Sequence, residues 1–230
     1  CFNPELGWEK EVISSFEKIK KVLTDTDISL ILVNDGSTQN ISNINLERIK
    51  EKVKLFKYVR YTINKGKGYA LRKGVKIAQS KFQILTDIDF PFKTTNVIEV
   101  FNNLYKRDYD VVLGYRDNDY YKKIPFTRVL ISKAFRYCLK YIMHISIIDT
   151  QCGLKGFNKI GKEIFLQTKT NTFLYDLEYI LLSSKRRINI FNLQVQLKEG
   201  VSLTKLKITV IIREIYNLIN ILFRIYLQRK

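Results

Sequence analysis

Apolar runs the length of a β-strand alternate with helical patterns through the first half of the chain. Ile28 to Val33, Tyr58 to Thr62 and Phe82 to Thr86 are the strand-like runs, and the segments between them repeat apolar residues every three or four positions. This alternation is typical of a mainly parallel central sheet with helices on both faces. We therefore predict an α/β fold, whose first helix begins at a cap formed by Asn3 to Glu5.

The second half of the chain predicts a less regular order. A strand is expected at Asp110 to Gly114, and the polar and aromatic segment from Tyr115 to Ile124 predicts a loop or lid. Helices are expected over Phe126 to Met143 and Phe173 to Ser184, followed by a strand at Asn189 to Leu197. The sequence contains no internal repeat and no low-complexity linker, so we expect one domain with at most an appendage.

The size and composition favour a folded domain that needs no covalent staples. A domain of 230 residues buries roughly 70–75% of the surface that its unfolded chain exposes, and 46% of these residues are hydrophobic. Cys1, Cys138 and Cys152 lie far apart and form no C-x-x-C pair. That spacing argues against a disulfide framework or a thiolate zinc site and favours a reducing compartment.

The chain is strongly basic, with 40 Lys+Arg against 22 Asp+Glu and a formal net charge of +18. Such an excess suits nucleic acid, an anionic membrane surface or small anionic substrates. The last segment, Lys205 to Lys230, predicts an apolar helix with basic residues, which either packs on the domain or lies in a membrane surface. Arg213, Glu214 and Arg224 interrupt it, so it lacks the roughly 18 uninterrupted apolar residues of a spanning helix.

Acidic residues follow two of the predicted strands, at the end of the sheet where α/β proteins bind ligands. Asp35 lies in a glycine-bearing turn, where it either accepts hydrogen bonds from a ribose or base or forms an Asx-type turn. Asp87 and Asp89 are two positions apart, which points both side chains to one face of an extended chain. Two carboxylates held this close favour a hard cation, Mg²⁺ or Mn²⁺, shared with a diphosphate, although a solvated loop would also accommodate them.

Basic and polar motifs complete the set of candidates. The turn from Asn64 to Gly68 combines glycines with lysines at a helix start, where phosphates are favoured. Arg116 and Arg128 supply guanidinium groups suited to phosphate, and Asp149 to Lys155 is a dense polar run between apolar segments. Two more acids, in the range Asp176 to Glu178, fall near a helix start, where the helix dipole alone explains them.

In this order, the motifs resemble those of family 2 glycosyltransferases of the GT-A fold, specifically the polyprenyl-phosphate (dolichyl-phosphate-type) glycosyltransferases. The resemblance covers nearly the whole chain, and the set is more specific than any one member. The motifs are Phe2-Asn3-Pro4-Glu5, Val33-Asn34-Asp35-Gly36-Ser37-Thr38, Asn64-Lys65-Gly66-Lys67-Gly68, Asp87-Ile88-Asp89, Gly114-Tyr115-Arg116, Asp149-Thr150-Gln151-Cys152-Gly153-Leu154-Lys155 and Asp176-Leu177-Glu178.

The resemblance assigns expected roles to the candidate residues. It implies that Asp35 contacts the nucleoside, that Lys67 lies near the nucleotide, and that a divalent metal on Asp87 and Asp89 binds the diphosphate. It also implies that Arg116 and Arg128 hold the acceptor phosphate. The sugar pocket is expected to be lined by Asp149 and Gln151. The remaining expected substrate contacts are Phe2, Asn3, Glu5 and Lys155.

The leading hypothesis is inverting transfer of a hexose from UDP- or GDP-hexose to a polyprenyl phosphate at the cytoplasmic membrane face. A phosphate monoester, with a second pKa of about 6, is already largely anionic at neutral pH and needs positioning more than deprotonation. We therefore expect Asp149 to position the sugar first and to act as a base second, and we count it with Asp89, Arg116 and Arg128 as catalytic.

Two alternatives remain open at this stage. A sugar hydroxyl on a growing glycan would replace the lipid phosphate, and Asp149 would then have to act as the general base. A basic nucleic-acid-binding domain is the remote alternative, which the scattered lysines and the acids at strand ends disfavour; we expect no nucleic-acid partner.

The resemblance also predicts the domain organisation. We expect a GT-A domain over residues 1–204 that lacks the family's first strand, because that strand precedes the Phe-Asn-Pro-Glu motif. Residues 205–230 are expected to form a C-terminal amphipathic helix that binds an anionic membrane surface and makes the protein a peripheral enzyme.

Overall fold

The computed structural model describes residues 1–116, 152–199 and 208–227. The predicted lid from residue 117 onward, the predicted helix over 126–143 and the candidates Arg128, Asp149 and Gln151 lie outside the described residues. In chain order, the described helices and strands are α1 (Trp8–Val22), β1 (Leu30–Asp35), α2 (Asn43–Lys52), β2 (Phe56–Tyr61), α3 (Lys67–Ile77), β3 (Gln83–Leu85), α4 (Thr94–Lys106), β4 (Val111–Arg116), β5 (Lys155–Phe157), α5 (Lys159–Phe165), α6 (Tyr175–Lys185), β6 (Ile190–Val195) and α7 (Ile208–Leu222). A π-helical turn, Phe223–Leu227, follows α7.

The described strands pair in two groups. β1 and β2 are parallel, with Asp35 opposite Tyr61 at their carboxyl ends. The second group has the order β3-β5-β4-β6, in which β4 and β6 are parallel. The short strand β5 runs antiparallel between β3 and β4, so it brings the end of the Asp149-to-Lys155 motif between the strands that lead to Asp87 and Arg116. The α/β prediction is confirmed, and β5 is its antiparallel element.

The first helix begins at Trp8 rather than at the predicted cap on Asn3. Gly7 precedes it in the left-handed region, with φ of 78°, and Asn3 itself has φ of 41°. The side-chain Oδ1 of Asn3 accepts hydrogen bonds from the backbone N–H of Thr38 (2.9 Å) and Gln39 (3.3 Å). The predicted helix cap is therefore wrong, because Asn3 binds the loop that follows β1.

Two clusters of buried apolar side chains hold the layers together. One cluster joins β4 and β5 to α5, α6 and α7, and in it the rings of Phe165 and Tyr179 meet edge to face at 5.1 Å. The other joins α1, α2 and α4 to the strands, and in it Ile49 and Val100 are fully buried. Close packing on both sides of the strands fixes the positions of the strand ends.

The C-terminal helix α7 packs on the domain through one face. Ile221 of α7 and Ile225 of the π-helical turn that continues it are 0% and 9% exposed and belong to the first cluster. On the other side, Tyr216, Ile219 and Phe223 remain 66%, 60% and 52% exposed. Of the two arrangements considered for this segment, packing on the domain is observed, and the outer face stays apolar. Within the described ranges, no helix has the length and apolarity to cross a membrane.

Candidate active site

Polar side chains from three strand ends and one helix start line a common cleft. Asp35 ends β1, Asp87 and Asp89 follow β3, Arg116 ends β4, and Lys67 is the first residue of α3. Both strand groups contribute to it, since β1 belongs to the two-stranded group and β3 and β4 belong to the four-stranded group. The structure thus brings together five of the residues that the sequence singled out.

Lys67 and Asp87 form an ion pair at the centre of the cleft. The ammonium Nζ of Lys67 lies 2.5 Å from Oδ1 of Asp87, and both side chains are about one-third exposed. Burial opposes both charges, but the mutual attraction outweighs it, so the pKa of Lys67 is raised and the pKa of Asp87 is lowered. Both groups are therefore charged at neutral pH, and Asp87 is an anion ready to accept a cation.

Gly153 holds Asp87 from the opposite side. A Cβ atom added at Gly153 would lie less than 3.0 Å from Oδ2 of Asp87 and 3.1 Å from its Cγ. The backbone of the Asp149-to-Lys155 motif therefore presses directly against the first carboxylate of the Asp87-Ile88-Asp89 motif. Only a residue without a side chain leaves the Asp87 carboxylate where it is.

Asp89 shares the cleft as a second carboxylate. Burial raises its pKa, and the nearby negative charge of Asp87 raises it further. A divalent cation between the two groups would relieve this repulsion, and carboxylate oxygens are the ligands that Mg²⁺ and Mn²⁺ prefer. Among the described residues, no group of three or more His, Cys, Asp or Glu side chains gathers around such an ion. The two carboxylates are thus the candidate ligands for such an ion.

Asp35 is engaged by the chain itself. Its Oδ1 accepts hydrogen bonds from the hydroxyl of Tyr61 (2.6 Å) and the N–H of Lys65 (2.8 Å). Its Oδ2 accepts from Nδ2 of Asn64 (3.0 Å) and the N–H of Gly66 (2.9 Å). A carboxylate offers about four lone-pair sites, and all four are used here. Asp35 thus fastens the end of β1 to the turn that carries Lys67, and its contact with a nucleoside stays a prediction.

The glycines of the Asn64-to-Gly68 turn also face the protein rather than a ligand. A Cβ added at Gly66 would lie less than 3.0 Å from the carbonyl oxygen of Asn171, and one at Gly68 equally close to that of Thr170. The N–H of Gly68 donates to the Asn171 carbonyl at 2.8 Å. The interpretation of this turn as a backbone cradle for phosphate is therefore wrong, and Lys67 is its contribution to the cleft.

Lys155 is buried and paired with Asp176, which itself lines the cleft. Its side chain is 1% exposed, with Nζ 2.9 Å from Oδ1 of Asp176 and donating to the carbonyl oxygen of Cys152. This corrects the expectation that Lys155 touches substrate, because no surface of the ammonium remains for a ligand. The pair also explains Asp176 better than helix-dipole complementarity, and the bond to the Cys152 carbonyl ties Lys155 to the residue that precedes Gly153.

The Phe-Asn-Pro-Glu motif lies at the edge of the cleft. Phe2 is 51% exposed and Glu5 is exposed, and both line the cleft with Asn3. The backbone carbonyl of Cys1 accepts a hydrogen bond from the N–H of Asp35 at 2.8 Å, which places this segment beside the end of β1. Phe2 and Glu5 therefore remain candidates for substrate contact, whereas Asn3 is held by the loop after β1.

Two residues important to the site, Tyr61 and Arg72, escaped the sequence analysis, and a third, Glu178, was noted there only as an acid near a helix start. Tyr61 donates to Asp35, and burial together with this carboxylate raises the pKa of its hydroxyl. Arg72 and Glu178 bind the loop that covers the Lys67 turn, Arg72 through the Thr170 carbonyl at 2.7 Å and Glu178 through the Thr170 N–H at 2.7 Å. The position of Tyr61 at the end of the strand beside β1 could have indicated that it lies near Asp35. No local pattern could have indicated the role of Arg72, because its partners lie about a hundred residues away in the chain.

A comparison with known protein families decides the classification. The sequence model of glycosyl transferase family 2 matches residues 1–165. The chain belongs to glycosyl transferase family 2. The family predicted from the ordered motifs is thereby confirmed, and the Asp35, Lys67 and Asp87 motifs all fall inside the matched region.

Two curated proteins that are similar to this family 2 member share one name with each other. The dolichyl-phosphate beta-glucosyltransferase of Saccharomyces cerevisiae is 28% identical over 193 residues, which cover 74% of this chain and 57% of that protein. The dolichyl-phosphate beta-glucosyltransferase of Dictyostelium discoideum is 28% identical over 192 residues, covering 80% of this chain and 58% of that protein. The chain thus spans a little over half the length of these relatives.

Solved structures confirm the fold of this family 2 chain. Glucosyl-3-phosphoglycerate synthase from Mycobacterium tuberculosis, in complex with Mg²⁺ and uridine diphosphate, superposes with a TM-score of 0.67. The alignment covers 98% of this chain and 76% of the other at 15% sequence identity. The predicted GT-A fold is confirmed.

Proposed function

We propose that this family 2 glycosyltransferase transfers a hexose from a nucleotide sugar to a polyprenyl phosphate, with inversion at the anomeric carbon. The names of the two curated relatives support glucose as the hexose and a dolichyl-type lipid phosphate as the acceptor. The uridine diphosphate in the similar solved structure supports a uridine donor. The acceptor is presented at the cytoplasmic face of a membrane.

The meeting of three motifs at Asp87 carries the proposal. Lys67 pairs with this carboxylate at 2.5 Å, Gly153 presses against it, and Asp89 lies beside it in the cleft. A cation and two carboxylates at a strand end suit a diphosphate bound through a metal. Gly153 belongs to the same run of sequence as Asp149 and Gln151, the residues proposed to hold the sugar.

In the reaction, an oxygen of the acceptor phosphate attacks the anomeric carbon of the sugar. The bond from that carbon to the nucleoside diphosphate breaks, and its electron pair leaves with the diphosphate. The acceptor oxygen is already anionic at neutral pH, so the protein mainly positions it, which we assign to Arg116 and Arg128. Asp149 orients the sugar.

The leaving group needs positive charge as the bond breaks. Lys67 provides one such charge in the cleft, and its neighbours Gly66 and Gly68 use their amides on Asp35 and Asn171 instead. A divalent ion on Asp87 and Asp89 would supply further charge and stabilise the departing diphosphate.

The outer face of α7 suits contact with a membrane surface. Tyr216, Ile219 and Phe223 are spaced by three and four residues and lie exposed on one side of the helix, with the exposed side chain of Arg213 nearby. An apolar strip with a basic residue binds anionic lipid by burial and by charge. Such a contact would hold the cleft within reach of a lipid phosphate head group.

The transfer reaction tests the proposal directly. Purified protein is incubated with Mn²⁺, a panel of nucleotide sugars and three acceptors, namely a short polyprenyl phosphate, the corresponding polyprenol and an oligosaccharide. We expect nucleoside diphosphate release with the lipid phosphate only, and abolition of release by Asp87→Ala. Release with the oligosaccharide but not with the lipid phosphate would favour the glycan-hydroxyl alternative.

Membrane contact is tested with substitutions rather than with deletion of the helix, because Ile221 lies in the core. Co-sedimentation with vesicles containing anionic lipid is compared for the parent protein and for Ile219→Ser combined with Phe223→Ser. We expect the parent to bind at low salt and the variant to lose most of this binding. Equal binding by both proteins would contradict the assignment of this face.

A further inference from the structure

Residues 168–174, here called the bridging loop, connect the donor side of the cleft with the C-terminal helix. The loop lies between α5 and α6, and three helices supply side chains that bind it. Thr168 and Thr170 are 4% and 6% exposed, so the polar groups of these two residues are withdrawn from water. Buried polar groups need protein partners, which fixes the conformation of such a loop.

On one side the bridging loop lies directly on the turn that carries Lys67. The N–H of Gly68 donates to the Asn171 carbonyl at 2.8 Å, and neither Gly66 nor Gly68 leaves room for a Cβ against the loop. Arg72, on the same helix as Lys67, donates to the Thr170 carbonyl at 2.7 Å. Any shift of the loop must therefore shift this turn or break these bonds.

On the other side the bridging loop is held by α7 and the turn that follows it. Oε2 of Glu214 accepts hydrogen bonds from the Thr172 hydroxyl (2.9 Å) and the Leu174 N–H (3.2 Å). Nη2 of Arg224 donates to the Thr170 hydroxyl at 3.0 Å, and its Nη1 lies 3.3 Å from Oε1 of Glu178.

Glu178 completes this side from α6. Its Oε2 accepts the backbone N–H groups of Lys169 (2.9 Å) and Thr170 (2.7 Å), and the residue is 3% exposed. Arg224 forms an ion pair with this buried carboxylate. One connected set of polar contacts thus runs from α7 through the bridging loop to the amide of Gly68.

We propose that Glu214 and Arg224 are positioning residues of the donor site. They hold the bridging loop against Gly66 and Gly68, and the loop in turn fixes the backbone on either side of Lys67, so that its ammonium stays on Asp87. The consequence for nucleotide binding rests on the proposed function, whereas the mechanical link between α7 and the Lys67 turn does not.

The link is measured by amide hydrogen exchange in the segment 64–72. Glu214→Ala removes both hydrogen bonds to the loop, whereas Glu214→Gln keeps one carbonyl oxygen that accepts them. We expect faster exchange at Gly68 in the Ala variant and near-parent exchange in the Gln variant. Glu17→Ala, an exposed glutamate on α1, is the matched control and leaves this segment unchanged.

A second pair of variants tests the other anchor. Arg224→Met removes the bonds to Thr170 and Glu178, and Arg224→Lys keeps a charge near Glu178 without the forked geometry. If the Met variant does not fold, the Lys variant carries the test. We expect either variant to speed exchange at Gly68 and to raise the dissociation constant of UDP with Mn²⁺ by roughly two- to tenfold, the effect of one hydrogen bond.

The outcomes separate the two proposals. Faster exchange at Gly68 in protein that binds no UDP in any form would support the link and contradict the proposed function. Faster exchange confined to residues 168–174, with segment 64–72 and UDP affinity as in the parent protein, would overturn the link and leave the proposed function intact.

Discussion

Substitution of Gly153 by alanine should damage the site while sparing the fold. The new Cβ would lie less than 3.0 Å from Oδ2 of Asp87, and ordinary contact begins at 3.4 Å. The oxygen must therefore retreat by roughly 1 Å, close to the displacement that costs an active site about a hundredfold. Because a carboxylate is a rigid plane, Oδ1 turns with it and leaves its position 2.5 Å from Lys67.

The fold should tolerate this substitution for two reasons. The atom that must move is the end of a flexible side chain in a cleft, and Gly153 has no left-handed φ that alanine would strain. Replacement of glycine by alanine at a compatible position also stabilises by about 0.4–1 kcal/mol through the unfolded chain. We expect a melting temperature within a few degrees of the parent value.

The assay for Gly153→Ala combines calorimetric titration of UDP in the presence of Mn²⁺ with turnover of UDP-glucose. We expect a loss of roughly a hundredfold in turnover and weaker metal-dependent UDP binding. Gly74→Ala is the matched control, since its Cβ would meet the side chains of Val33 at 3.2 Å and Ile31 at 3.8 Å rather than Asp87. Parent-like turnover and UDP affinity in Gly153→Ala would refute the argument that this backbone holds the carboxylate in place.

Three further predictions follow from single residues. Because native Asp89 has a raised pKa, its ionisation at neutral pH destabilises the metal-free fold. Asp89→Asn should therefore raise the melting temperature in EDTA, yet abolish metal-dependent UDP binding. In the parent protein, acidification should abolish that binding at a higher pH than the pKa of an ordinary aspartate would give. Asp35→Asn replaces one acceptor oxygen by a donor and should speed amide exchange at Lys65 and Gly66, with parent-like exchange counting against the fastening role. Arg128→Ala should raise KM for polyprenyl phosphate far more than KM for the nucleotide sugar, and equal effects on both would remove Arg128 from the acceptor site.

Much of the donor side of the site was predictable because it depends on local rules. Strand-length apolar runs followed by acids placed Asp87 and Asp89 at the edge of a sheet, and the structure puts them with Lys67 in one cleft. The spacing of apolar residues depends only on residues that are close together in the chain, so helices and strands can be predicted from it.

The roles of the glycines and of the buried charges were not predictable in the same way. The sequence of a glycine-bearing turn is the same whether a phosphate or another backbone segment approaches it. Here Gly66 and Gly68 face a loop about a hundred residues further along the chain. Likewise, the sequence predicts a substrate contact for Lys155 and a helix-dipole role for Asp176, but burial makes them a structural pair. Such assignments depend on tertiary contacts that no local pattern encodes.

The identity and configuration of the product test the central claim most directly. UDP-glucose, Mn²⁺ and an equal mixture of polyprenyl phosphate and the matching polyprenol are incubated with the protein, and the lipid products are analysed by mass spectrometry and proton NMR. We expect a single new lipid, the glucosyl ester of the polyprenyl phosphate with a β anomeric linkage. Glucosylation of the free polyprenol, or an α linkage on the phosphate, would contradict it.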